Sequence, residues 1–136
     1  MDAMLGFAVR GSGFEPVAEQ AGWGYFKCRR IKEAPVGLEH FSVLASDAPE
    51  FDDQVQEVEA FLRAHRDVIE NLRRQSLVHL QLIFGTGCEC VDFVENHRFH
   101  PSFLALLAQL EIELNVSVYA AEPPDYLREL GCRGEE

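Results

Sequence analysis

Seven positions, Phe51, Val55, Val58, Leu62, His65, Ile69 and Leu72, recur along the chain at alternating spacings of four and three. That rhythm places all seven side chains on one face of a helix. It predicts a single helix of about six turns, with Phe61 and Val68 widening its apolar stripe. The segment "DAPE" is read as its start. Asp47 is the expected N-cap, Pro49 falls in the first turn, and Glu50 follows the cap by three residues, a capping-box pattern. Acids fill the first half of the helix and arginines the second, as the helix dipole prefers. A helix with one apolar face cannot stand alone in water, so the rest of the chain must supply a surface for it.

Shorter patterns supply that surface. Leu5 to Arg10 is read as a strand ended by "GSG", followed by a brief helix over "FEPVAEQAG" with Gly22 at its end. Strands are expected at Tyr25 to Ile31 and His40 to Leu44. Leu77 to Phe84 is rich in β-formers, and Cys88 to Val94 is its expected hairpin partner, joined through Gly85, Thr86 and Gly87. Pro101 opens a second helix whose apolar face is Phe103, Leu104, Leu107, Leu110 and Leu114, with Leu106 beside them and Asn115 at its end. Val116 to Ala120 alternates as a last strand, and "EPPDYLREL" suggests a short terminal helix. Strands joined by both helices and hairpins imply an α+β fold. The expected sheet is mostly antiparallel, with one long and one medium helix packed on one face. The 136 residues suit one domain over 1–136, with 121–136 as a C-terminal extension.

Charge narrows the function classes. Twelve Lys and Arg oppose twenty-three Asp and Glu, for a net charge of −11. Such a chain repels phosphate backbones, which argues against nucleic acid as a partner. The acids are also segregated: Glu33 to Leu62 holds eight and Phe99 to Leu127 holds four, with no Lys or Arg in either stretch. Lys27, Arg29, Arg30 and Lys32 form one basic cluster, and Arg63, Arg66, Arg73 and Arg74 another. No apolar run reaches the roughly 18 residues of a membrane helix. "MDAMLGFAVRG" lacks the basic start and apolar core of a signal peptide, so the expected location is the cytoplasm, away from membranes.

The cysteines pose the sharpest chemical question. Cys88 and Cys90 are one residue apart beyond a Gly-Thr-Gly. On a strand they share a face, with Cα atoms roughly 6.6–6.8 Å apart, at the outer edge of the disulfide range. Zinc ligands are usually two to four residues apart and come in fours, whereas here the spacing is one and no second pair exists. His97 and His100 form only a loose H-x-x-H. The pair is therefore read as small apolar side chains beside a turn, with no metal and no cofactor expected.

Other chemistries find little support. "RGSG" and "GTG" match neither a P-loop nor a dinucleotide fingerprint, and no serine sits in a nucleophile elbow. His65 falls on the apolar stripe and His79 in a strand, where structural roles are expected. His100 precedes Pro101 as an expected helix cap, and His40 has no visible partner. Asp52 and Asp53 are adjacent on a helix and point in different directions, a poor arrangement for paired acid–base work. No catalytic residue is proposed and the chain is not read as an enzyme. What stands out is the acidic outer face of the long helix, read as a docking surface for a basic partner. Its expected contact residues are Asp47, Glu50, Asp52, Asp53, Glu57 and Glu59, joined by Glu122 and Asp125 from the tail.

Three segments in order, "FDDQVQEVEAFLRAHRDVIENLRRQ", "LVHLQLIFG" and "FHPSFLALLAQLEIELNVSVYA", resemble a bacterial family catalogued as domain-of-unknown-function family 4279. "FAVRGSGFEPVAEQAG" is similar to that family's first strand and helix. "GWGYFKCRRIKEAPVGLEHFSV" departs from its pattern, and so does the tail after Ala121. The resemblance implies a small bacterial α+β domain without an established enzymatic role, in a class that includes immunity proteins encoded beside secreted toxins. Joined to the acidity, it leads to the expectation of a cytoplasmic immunity protein. That protein would neutralise a cognate toxin carrying a basic surface. Two other expectations compete with it: a metal- or thiol-dependent enzyme using Cys88, Cys90, His97 and His100, and a self-associating module pairing two copies through an exposed sheet edge.

Overall fold

Strand β1 (Ala3–Arg10) carries the organising pattern. Ala3, Leu5, Phe7 and Val9 are at most 1% exposed, and the residues between them face the opposite side. The structure is a computed structural model and describes residues 2–28, 37–88 and 97–120. Along it follow α1 (Phe14–Ala21), β2 (Tyr25–Cys28), β3 (Leu38–Ser46), α2 (Phe51–Ala64), α3 (Arg66–Gln75), β4 (Leu77–Cys88), α4 (Pro101–Gln109) and β5 (Glu113–Ala120).

The five strands form one sheet in the order β2-β3-β1-β4-β5. Every neighbouring pair is antiparallel except β4–β5. The elements from β1 through β4 follow the ferredoxin-like, split-βαβ order. Helix α4 then returns the chain so that β5 lies parallel to β4, a connection that needs a crossover. The expected α+β class and mostly antiparallel sheet are what the chain adopts.

One core joins the sheet to the helices. Phe14 and Ala18 of α1, Val55, Val58 and Leu62 of α2, Ile69 and Leu72 of α3, and Phe103, Leu106 and Leu107 of α4 meet the inward residues of β1, β3 and β4. All seven stripe positions read from the sequence turn inward, with Phe51 half-buried at the start of α2 and His65 half-buried just past its end. Aromatic rings gather at two ends of this core. Phe7, Phe14, Trp23, Tyr25, Phe41, Phe61 and His65 form one group, with Phe14 stacked on Phe41 at 4.3 Å. Phe51, Phe84, His97, Phe99 and Phe103 form the other.

Several local expectations are corrected. The long helix is two helices, parted at His65, whose φ of −113° and ψ of 19° leave helical values. The hydrogen-bond ladder continues on both sides of the break, His65 N to Phe61 O and Ile69 N to His65 O. The break falls where the imidazole packs on Phe61 and Trp23, at 4.6 and 5.5 Å. The capping box does not form either. Glu50, not Asp47, occupies the N-cap position, without a side-chain cap bond. Ala48 precedes Pro49 and is thereby steered away from helical angles, so the helix starts beyond the proline. The Ser46 hydroxyl accepts from Ala48 N and donates to Glu57 Oε1 at 2.7 Å, while Gln54 Nε2 donates to Ala48 O at 2.8 Å. These bonds tie the connection to the flank of α2.

Gly85, Thr86 and Gly87 do not turn. They continue β4, pairing in register with Ser117, Val118 and Tyr119 of β5, and Gly85 N donates to Asp2 O. Residues 89–94 of the expected hairpin partner lie outside the described residues, as does the expected terminal helix. The second helix ends at Gln109, not Asn115. Glu111 takes a left-handed φ of 55°. Ile112 N then donates to Leu107 O at 2.8 Å and Glu111 N to Ala108 O at 3.1 Å. That is a Schellman closure, with apolar Ile112 and Leu107 meeting across it. The sequence carries Glu where glycine is the usual flag, which is why the stop is hidden.

Arg73 of α3 completes this closure. Its Nη2 donates to the carbonyls of Leu110 and Glu111 at 2.9 and 3.0 Å, and its Nε lies 3.6 Å from the Glu111 carboxylate. The cation thus sits at the negative end of α4 and satisfies orphan carbonyls. Replacing Arg73 with alanine is expected to destabilise the fold by about 1–3 kcal/mol. Lysine should restore part of the charge effect but not the forked bonds. Urea unfolding followed by the fluorescence of Trp23, the single tryptophan, measures both.

Candidate functional site

The connection from β3 to α2 and the first turn of α2 bring four carboxylates together. Asp47, Glu50, Asp52 and Asp53 fall within seven residues and all are exposed. None of the four has a Lys or Arg partner among the described residues. Their backbone is held from beneath by the Ser46, Ala48 and Gln54 bonds, with Ser46 and Gln54 themselves buried. Asp52 and Asp53 also lie at the positive end of the α2 dipole, which favours their charge without cancelling it at a distance.

The other expected contact residues divide. Glu57 is exposed but accepts the Ser46 hydroxyl, so one of its oxygens serves the fold. Glu59 is bound by Arg63 one turn on, through Nε at 3.0 Å and Nη2 at 2.9 Å. Its charge is largely compensated. Glu122 and Asp125 lie outside the described residues. The acidic face read along the helix is therefore an acidic end, concentrated at the start of α2.

An aromatic edge borders that end, and the sequence reading missed it. Phe51 lies between Glu50 and Asp52 in the chain. Its ring meets His97 at 4.3 Å and Phe99 at 5.5 Å, and all three residues are half-buried. "NHRFHP" was legible only as a loop, because nothing in it announces a contact with a residue 46 positions earlier. The combination is a partly desolvated aromatic patch beside acids that have no Lys or Arg partner among the described residues. Such patches suit protein contacts, where rings supply the energy and charges steer the approach.

No family model, curated protein or solved structure matches the chain.

The groups named for metal or thiol chemistry do not assemble among the described residues. No three of His, Cys, Asp and Glu there converge as ligands for a metal. His97 packs on Phe51, and His100 holds the N-cap position of α4 without a side-chain cap bond. Cys88 ends β4, and Cys90 is outside the described residues. No helix among the described residues is long and apolar enough to cross a membrane.

On the far side of the sheet, Asn115 Nδ2 donates to Gln81 Oε1 at 2.6 Å and to Glu113 Oε2 at 2.9 Å, while His79 Nε2 lies 3.5 Å from Glu113 Oε1. Cys28 Sγ and Ser42 Oγ are 3.4 Å apart on the same side. These are exposed or half-buried polar contacts within β5 and between neighbouring strands.

Among the described residues, the only strongly displaced titration lies at the end of the sheet nearest α1. Tyr25 donates to Glu19 Oε2 at 3.1 Å and approaches Glu15 Oε2 at 3.4 Å. Burial, then the hydrogen bond and charge of Glu19, then Glu15, push its pKa up to about 12. The folded state thus holds this proton more tightly than the unfolded chain, whose phenol titrates near 10. The associated stability is complete below about pH 10 and is lost as the pH rises toward 12. Absorbance titration should find a tyrosine ionising late, and Tyr25→Phe should remove that late component.

Proposed function

We propose that the chain is a cytoplasmic immunity protein, one that binds and neutralises a cognate bacterial toxin through the acidic end of α2. One observation carries this reading. Asp47, Glu50, Asp52 and Asp53 are exposed, close in the chain and without basic partners among the described residues, on a backbone held by buried polar bonds. Asp52 and Asp53 gain from the α2 dipole, but four like charges side by side also repel one another. A basic partner does gain, through faster encounter and discrimination against wrong surfaces. Phe51, with His97 and Phe99, supplies the apolar contact that charge alone does not. A toxin acting on nucleic acid offers the fitting surface, since its substrate groove must be basic.

The direct test is co-purification with the product of the neighbouring gene, together with protection of cells expressing that product. A stable complex and restored growth are expected. A neighbour that is not toxic, or a toxin whose killing is unaffected, removes the proposal.

A further inference from the structure

The two edges of the sheet are built differently. Edge strand β2 is described over "YFKC", and its Lys27 is ion-paired to Glu39. An edge bearing lysine resists pairing with another chain. Edge strand β5 has eight residues, "ELNVSVYA". It contains no Lys, Arg, Pro or Gly, and its register with β4 runs without a bulge from Glu113 to Ala120. Among the described residues no strand pairs with its outer side. Val116, aligned with the core residue Phe84, is still 39% exposed.

We propose that β5 pairs antiparallel with β5 of a second copy of this chain, about a two-fold axis at Val116. The symmetry suits the strand. Its single charged residue, Glu113, is placed opposite Tyr119 of the other copy, so the two carboxylates lie at opposite ends of the pair. Val116 lies opposite Val116, a β-branched cross-strand pair that covers the apolar surface each copy leaves open. An isologous contact of this kind closes on itself and stops at two copies. It joins the two sheets into one of ten strands.

Phe51, at the acidic end of α2, meets Phe84 of β4, the strand beside β5. Added salt should therefore strengthen the pairing, by screening the like charges of the two copies. The pairing does not depend on the function proposed above.

Light scattering of the purified full chain over a wide concentration range tests the pairing. Twice the chain mass is expected, falling to the single mass on dilution. Val116→Lys should give the single mass throughout with an unchanged circular dichroism spectrum. Ser117→Lys probes the same edge from the other face if the first variant does not fold. Hydrogen exchange adds a local reading, since outward amides of Glu113 to Ala120 should be protected only in the concentrated sample. A wild-type chain of single mass at every concentration overturns the proposal. So does a folded lysine variant that keeps the double mass and the protection.

Discussion

Replacing Phe84 with alanine should lower the stability of the fold by about 3–5 kcal/mol. The side chain is fully buried in β4, and its ring meets Phe51 of α2, Phe99 of the following loop and Phe103 of α4. Removing it leaves a hole bordered by rings that belong to three different elements. Rings are stiff and fill such a hole poorly, so the cavity cost adds to the lost transfer energy. A domain of ordinary stability has about 5–15 kcal/mol to lose. The midpoint of thermal unfolding should therefore fall by roughly 10–20 °C. Trp23 reports the transition from the other end of the core, which makes it a measure of global unfolding. The same hole undermines Phe51 and the first turn of α2, so the proposed partner binding should weaken in proportion. Phe99→Ala truncates a half-buried ring and should cost less. Equal losses for the two would show that the cluster does not centre on Phe84.

The second large effect concerns the acidic end. A variant carrying Asp47→Asn, Glu50→Gln, Asp52→Asn and Asp53→Asn should associate with the proposed toxin about 10- to 100-fold more slowly at low salt. Its stability should stay within about 1 kcal/mol of the parent, because relief of repulsion offsets the lost favour at the helix start. The split between unchanged folding and slowed association is the signature of steering. Stopped-flow association over a range of salt concentrations reads it directly. The parent rate should fall steeply with salt and the variant rate should hardly change. A variant that associates as fast as the parent would place the contact elsewhere. Neutralising Glu59 instead should do little, since Arg63 already compensates it.

The parts of this fold legible in the sequence are those decided by side-chain alternation. The stripe from Phe51 to Leu72, the odd residues of β1, the Gly22 stop of α1 and the Pro101 start of α4 all follow from local chemistry. In the case of Gly22, the left-handed φ of 77° and the bond from Trp23 N to Ala18 O are what the glycine permits. The parts that were not legible are decided at a distance. Two glycines around Thr86 allow a turn, but ladder bonds to β5 and to Asp2 hold the segment straight. Glu111 adopts glycine's conformation because Arg73 and the Schellman bonds close around it. The acids at Glu57 and Glu59 look free in the sequence, and only their partners Ser46 and Arg63 show which charge is already spoken for. Phe51 was legible as a core position but not as the bridge to His97 and Phe99.

The sheet order has a consequence for how the molecule forms. The central strand is flanked by segments met much later in the chain, Ala8 facing His40 on one side and His79 on the other. Neither contact is local, and the second closes a loop of about seventy residues. Loop closure of this length must precede most of the burial that rewards it. Collapse should therefore begin within the consecutive helices α2 and α3 and the β2–β3 pair, with the middle of the sheet zipping last. Until it does, the apolar side of β1 is open to solvent. Slow refolding and a need for dilute conditions would be the practical mark of that topology.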